Sequence, residues 1–569
     1  MNNNMKNILK YSFLALVALA IVGCQSLELD ELLDNPNSVS PEKAELDLVF
    51  NAVMLDFKDF VDEVSDETMP YVRMAAMADG YFYNNQDGPT SFDFMWETAY
   101  FDLLPDLNLI IDNATERDLT TYAGIAKTMK AYILFTLVDL YGDIPYSEAF
   151  QGVVVPSPKA DTDAAVYGDA ADLLTSALAD FSNPKGSLGG DLYYDGEGAS
   201  WATLANTLLI RYHVMTRQAG GSGAAIDAIL GGGDIIDEVG EDFQFQYGTN
   251  RAAPDSRHPY YTDGYENGGP SWYMSNYMMW QMFGVKDNED PRLRYYFRRQ
   301  DGFEDNENQF TLDCTTAPYP THWEDGYPWC TASGDFGDPD GIRGGYWGRS
   351  HGNADGIPPD DLKRTAWGLY PAGGAFDDLP MIIVDEDTGD DTWQVSNGGT
   401  DGARGAGIQP IFLSSWTHFL LAEAALTMGV NADARALLET GLRQSISKVM
   451  NFNTTVVDAT LVPTDEAVDA YVAEVLDLYD AAADDEERLD LIMNEYRLAC
   501  HGMGLEPFNS YRRTGYPSLM EPTRESTSTS FFPRTFWYPA VYVNFNATAS
   551  QRQDLSGRVF WDTKPGDLR

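Results

Sequence analysis

The sequence predicts a mainly α-helical protein: a scaffold of paired helices carrying an irregular, loop-rich subdomain with short strands between about 241 and 410. Three observations predict it. Apolar residues recur at three- and four-residue spacing on both sides of that subdomain. The candidate helices come in pairs joined by short turns, in the manner of degenerate tetratricopeptide-like pairs. From about 241 to 410 the helical periodicity fades, and Gly, Pro, Asp, Tyr and Trp crowd together. A structureless loop of that length is abnormal in a compact domain, so the stretch reads as a subdomain packed on the helices.

In chain order, Ser40 and Pro41 suit an N-cap and a first helical residue. Leu46, Val49, Val53, Phe57, Phe60 and Val64 then mark an amphipathic helix. Ile125, Met129, Tyr132, Ile133, Thr136, Leu137 and Leu140 mark a second, stopped by Gly142. Residues 164–180 form an Ala-rich third, and Trp201, Leu204, Leu208, Tyr212 and Met215 a fourth. Residues 413–428 and 432–449 form a pair joined at Gly429-Val430-Asn431, with Gly as C-cap and Asn as N-cap. The last predicted helix runs near 486–503 through Leu489, Ile492, Tyr496 and Cys500.

Composition narrows the function. The 569 residues hold 37 Lys+Arg against 88 Asp+Glu, a net charge of −51. A field of that sign repels phosphate backbones, which argues against nucleic-acid binding. Hydrophobic content of 44% and aromatic content of 13% mark a globular chain. Lys6 and Lys10 precede an apolar run from Tyr11 to Val22, too short to span a bilayer but suited to a signal-peptide core. It ends in Ile21-Val22-Gly23-Cys24, which resembles the bacterial lipobox. Residues 1–23 therefore read as a lipoprotein signal peptide, residues 24–569 as the mature domain, and Cys24 as the lipidated residue. Cleavage there removes two lysines and no acid, taking the charge to −53. Acyl chains can hold so anionic a protein on a membrane that its charge would otherwise avoid. Of the remaining cysteines, Cys314 and Cys330 flank a Gly-, Pro-, Asp- and Trp-rich loop and are the better disulfide candidates in an oxidising compartment. Cys500 reads as a buried thiol.

Catalytic motifs mostly dissolve. Gly348-Arg349-Ser350-His351-Gly352 matches G-x-S-x-G, but a nucleophile elbow needs a buried strand before the Ser and a helix after it, and neither flank fits. There is no P-loop, no H-E-x-x-H and no C-x-x-C. Asp385, Asp387 and Asp391 resemble part of a calcium loop, yet Ser396 stands where its closing Glu belongs. The reading is a binding protein with no cofactor and no metal; the alternatives are a surface glycan-active enzyme and a structural or adhesion lipoprotein.

Several stretches resemble the SusD/RagB family, nutrient-binding outer-membrane lipoproteins of Bacteroidetes. They are Asn35-Pro36-Asn37, Asp139-Leu140-Tyr141-Gly142-Asp143-Ile144-Pro145-Tyr146-Ser147-Glu148-Ala149, Trp201 through Asn206 to Arg211, Asp290-Pro291-Arg292-Leu293-Arg294-Tyr295-Tyr296-Phe297, Leu420-Leu421-Ala422-Glu423-Ala424, Arg512-Arg513-Thr514-Gly515-Tyr516-Pro517, and Tyr538-Pro539 followed by Asn544. They occur in the family's order over nearly the whole chain. One departure is Asn494-Glu495-Tyr496, where the family often has Gln-Lys-Trp. The acidic run after Cys24 resembles the surface-export signal of such lipoproteins. The resemblance implies an outer-membrane lipoprotein facing outward, a nutrient ligand, and a SusC/RagA-type TonB-dependent transporter that the protein covers as a lid.

On the residues themselves, Asp139-Leu-Tyr-Gly-Asp-Ile-Pro reads as a helix-end turn, and Arg512-Arg513 as a helix exit whose arginines form ion pairs in an acidic protein. Seven of twelve tryptophans fall at 272, 280, 323, 329, 347, 367 and 393. Exposed aromatics stack on sugar faces, so this density favours an oligosaccharide over an oligopeptide. The candidate platform is Tyr81, Tyr83, Trp272, Trp323, Trp329 and Trp347. Tyr81 and Tyr83 share one face if their stretch is extended, and a Cys314–Cys330 bond would hold the loop carrying Trp323 and Trp329 rigid.

Overall fold

The computed structural model describes residues 46–77, 87–266, 273–299, 346, 348–353, 365–378, 402–524 and 531–568. Backbone contacts divide the chain into two units, Met1–Leu48 and Val49–Arg569. Of the first, Leu46–Leu48 are described and open helix α1 (Leu46–Thr68). Within the second, α2 (Asp93–Glu97) runs through a π-helical segment, Thr98–Leu103, into α3 (Leu104–Glu116). Then come α4 (Thr120–Tyr141), β1 (Ile144–Pro145), β2 (Ala160–Asp161), α5 (Asp163–Phe181), α6 (Gly198–Met215) and α7 (Gly223–Gly232). The middle of the chain holds β3 (Phe243–Gln246), α8 (Pro259–Glu266), α9 (Asn276–Phe283), α10 (Leu293–Tyr296), β4 (Phe297–Arg298), β5 (Ala366–Trp367) and β6 (Ile408–Phe412). The last part holds α11 (Ser414–Met428), α12 (Ala434–Met450), α13 (Asp465–Ala481), α14 (Asp485–Ala499), α15 (Leu505–Thr514) and α16 (Ala540–Phe545).

The fold is mainly helical, as the sequence predicts. Helix α4 packs against α3, α5 and α6; α11 packs against α12 and α14. Every residue of α4 from Thr121 to Tyr141 except Lys127 is buried, so it is a central helix rather than an amphipathic one. It stops where expected: Gly142 adopts φ +70, open to glycine at little cost. The chain then enters β1, which pairs antiparallel with β2, Ile144 opposite Asp161. β3 pairs antiparallel with β6, and Phe243 sits edge-on to Trp201 at 5.6 Å and 5.9 Å from Phe57.

Three expectations need correction. Gly429 closes α11 in the left-handed region as expected, but the N-cap of α12 is Asp433, whose carboxylate accepts from the Arg435 and Ala436 N–H groups, not Asn431. The helix near 486–503 ends at Ala499 and is not the last, because α15 and α16 follow. Arg513 does make the expected ion pair, with Glu423 at 2.6 Å, but Arg512 bonds the carbonyls of Arg534 and Asp139 between the Phe508 and Trp561 rings.

Candidate functional site

Cys24, Tyr81, Tyr83, Trp272, Cys314, Trp323, Trp329, Cys330 and Trp347 all lie outside the described residues, as do Asp385, Asp387, Asp391 and Ser396. The residues that border the platform segments are described, and they meet. Ala75 and Met274 form an antiparallel bridge, and Ser275 and Arg349 a parallel one. The Ala76 N–H donates to Tyr273 O at 2.8 Å, Arg349 N–H to Met274 O at 2.9 Å, Gly352 N–H to Met77 O at 3.1 Å and Arg524 N–H to His351 O at 2.7 Å. The chain beside Tyr81–Tyr83, beside Trp272 and beside Trp347 is thus hydrogen-bonded into one group.

Local chemistry explains the meeting. A Cβ on Gly348 would lie 2.1 Å from Met274 O, so only glycine lets these backbones approach. Gly352 has φ +76, and a Cβ there would meet Thr523 Oγ1 at 2.2 Å. Asn276 Oδ1 accepts from the Gly348 N–H, and the Arg349 guanidinium lies 4.5 Å from the Tyr273 ring centroid. Arg73, at φ 58, donates to Tyr71 O and Glu521 O, tying the chain before the first stem to the segment whose Arg524 bonds His351. The G-x-S-x-G glycines are therefore spent on close backbone approach. Ser350 and His351 are buried, and His351 is held well below its usual pKa by burial and by Arg73. The two described tryptophans of the rich segment are core residues: Trp280 is buried, and Trp367 stacks on Tyr260 at 4.4 Å.

A second concavity escaped the sequence reading. A cavity of about 360 Å³ opens between the π-helical segment, the chain after β1 and α16. Trp96 stacks on Tyr100 at 4.4 Å and packs on Tyr542 at 4.7 Å, and Phe150 stacks on Tyr100 at 6.0 Å. The Tyr100 hydroxyl donates to Pro145 O, and the Asn546 amide is consumed by Pro158 O and by Thr548. Few polar groups are left over, so this lining suits an apolar group. Around it Phe101, Val153, Val154 and Phe545 are 62, 97, 79 and 81% exposed. The one local signal in the sequence is that Phe101, Val153-Val154 and Phe545 lie outside the apolar patterns read as helices; their meeting is not encoded locally. Pro145, at the end of the expected helix-end turn, and Ala149 also wall the cavity.

Comparison with known proteins bears on both regions. Residues 36–313 match the family described as starch-binding associating with outer membrane, and residues 409–551 the family described as SusD and RagB outer membrane lipoprotein. No curated protein matches. Among solved structures, a SusD homologue from Bacteroides fragilis is 18% identical, with a TM-score of 0.65 over 92% of this chain and all of its own. A SusD/RagB family protein from Bacteroides thetaiotaomicron is 17% identical, with a TM-score of 0.64 over 93% of this chain and all of its own. A chitin-binding protein is 18% identical, with a TM-score of 0.62 over 92% of this chain and all of its own.

Proposed function

Since the chain belongs to the SusD/RagB family of outer-membrane nutrient-binding proteins, we propose that it is a cell-surface lipoprotein that binds an oligosaccharide and delivers it, as a lid, to a SusC/RagA-type TonB-dependent transporter. The observation that carries this reading is the meeting of the loop stems at Ala75–Met77, Tyr273–Asn276 and Gly348–Gly352. Stems that share hydrogen bonds support one shared ligand surface rather than several separate ones. The platform is Tyr81, Tyr83, Trp272, Trp323, Trp329 and Trp347, with Cys314–Cys330 bonded to lower the ordering cost of the loop between them. Aromatic faces with neighbouring polar groups favour a glycan over a peptide, and a neighbour described as chitin-binding makes chitin oligosaccharides the first candidates.

The protein acts by affinity and closure, not by transition-state stabilisation. Cys24 carries the lipid that holds it on the outward face of the outer membrane; no helix among the described residues is long and apolar enough to cross a membrane. The exposed apolar patch of Phe101, Val153, Val154 and Phe545 supports a protein partner, because patches of that kind mark interaction surfaces. The test is calorimetry of the six single alanine variants against chitin, starch and xylan oligosaccharides and a peptide panel. At least one variant should weaken glycan binding by about 1 kcal/mol or more with unchanged melting. Normal binding by all six, or a peptide-only profile, rejects the platform or the ligand class respectively.

A further inference from the structure

A second cavity, about 490 Å³, lies away from the loop stems, under the connection between α12 and α13. That volume is within the range of small-molecule sites. Its walls divide by chemistry. Ile446, Met450, Val462 and Val468 supply an apolar floor, and Tyr295 adds an aromatic ring. Arg443, Ser447, Asn451, Thr454 and Asp465 supply polar groups.

These polar groups are only part used. Arg443 donates from Nε to Glu439 at 3.0 Å and from Nη1 to Asp469 at 2.7 Å, which leaves Nη2. Asn451 donates its amide to Ser447 O and Oγ, which leaves its carbonyl oxygen as an acceptor. Tyr295 is buried, and its hydroxyl has no hydrogen-bond partner among the described residues. A buried hydroxyl left unpaired is destabilising, and a bound group can recover that loss.

The charge balance selects among ligands. Among the described residues, the one cation in the lining is matched by Glu439 and Asp469, and Asp465 adds a further negative charge. That excludes an anionic ligand. An apolar floor beside mixed donors and acceptors fits a neutral polyhydroxylated ring, which offers a C–H face and hydroxyls that both donate and accept.

We propose that this cavity is a glycan subsite, apart from the loop stems, that takes one or two neutral sugar units through Tyr295, Arg443 and Asn451. It rests on the reading that the nutrient is a glycan. The test is calorimetric titration of the full-length lipoprotein in detergent with N,N′-diacetylchitobiose, cellobiose and maltose, and with their six-sugar homologues. Tyr295→Phe and Asn451→Ala are compared with the native protein. Tyr295→Phe keeps the ring and removes an unpaired hydroxyl, so its melting temperature should hold or rise. Both variants should weaken disaccharide binding about threefold or more, the yield of one hydrogen bond. If Tyr295→Phe melts early, Asn451→Ala decides. Native disaccharide affinity in both variants overturns the subsite and leaves the glycan reading standing, as does binding of hexasaccharides alone. If no glycan of either length binds the native protein, the glycan reading itself falls.

Discussion

Asp139 receives hydrogen bonds from Arg211 Nη2 at 2.8 Å, Asn509 Nδ2 at 2.9 Å and Trp561 Nε1 at 3.0 Å, and its carbonyl accepts from Arg512. Arg211 in turn holds Glu506 at 2.7 Å, and all of these groups are buried. This network joins α4, α6, α15 and the C-terminal chain. Removing one partner strands the others without water to replace it. Asp139→Ala should therefore cost about 3–5 kcal/mol in a denaturant titration; a loss under 1 kcal/mol would show that water repairs the gap. A second residue-scale prediction concerns pH. Burial pushes Asp66 up to about 8 against the opposing Tyr260 hydroxyl, and burial pushes Asp62 up to about 6 against Lys58 and Tyr247. A carboxyl raised in the fold contributes most when protonated, so its contribution fades as pH rises through the folded pKa. His258 and His501 run the other way: burial lowers both to about 3, so their contribution is lost as pH falls from about 6.5 towards 3. Between pH 6.5 and 8 Asp66 is the one of these four groups still titrating, and the melting temperature should fall. Asp66→Asn should flatten that slope; an unchanged slope in the variant places the titration elsewhere.

Helix α4 shows why some elements were legible and others were not. Its apolar residues and its Gly142 stop are local signals, and the structure follows both. α13 went unread because its acid-rich sequence buries only Tyr471, Val472, Val475, Leu476 and Tyr479. α15 was read only at its exit, Arg512-Arg513, because its buried residues include polar ones whose ion pairs and hydrogen bonds reach residues distant in sequence: Glu506 with Arg211, Asn509 with Asp139 and Arg513 with Glu423. The aromatic cavity was hidden for the same reason, since α2, β1 and α16 meet only in three dimensions. The loop stems were half legible. The aromatic residues could be listed, but their nearness depends on bridges among Ala75, Met274, Ser275 and Arg349, which no spacing encodes. Those bridges depend on Gly348. Gly348→Ala forces a Cβ against Met274 O and should part the second stem from the third at a strain of about 1–3 kcal/mol. The expected outcome is glycan affinity reduced severalfold by calorimetry with the helical circular dichroism signal intact. Full affinity in the variant would mean that the platform does not rely on this junction.

At the scale of the whole molecule, charge and anchoring pull against each other. A chain at −51 is repelled by an anionic membrane surface, so the proposed function requires a lipid on Cys24 and a partner to position it. The two can be separated. Cys24→Ala should release the protein from membranes once the transporter gene is deleted, because no described helix offers another anchor; retention after a salt wash would defeat the lipobox reading. The partner contact should then show in the lipidated protein. Phe101 and Phe545 are largely exposed beside the aromatic cavity, so they contribute little packing to the free chain. Replacing both with Asp removes apolar contact area and adds charge to a surface that already holds Glu97, Asp102 and Glu148 nearby in sequence. Neither residue touches the loop stems or the cavity under α12. The Phe101→Asp/Phe545→Asp protein should therefore melt as the native one does and keep its glycan affinity, yet fail to co-purify with the transporter from detergent extracts. Co-purification at native yield moves the docking surface off this patch, and a loss of glycan affinity would make the patch part of the ligand site instead.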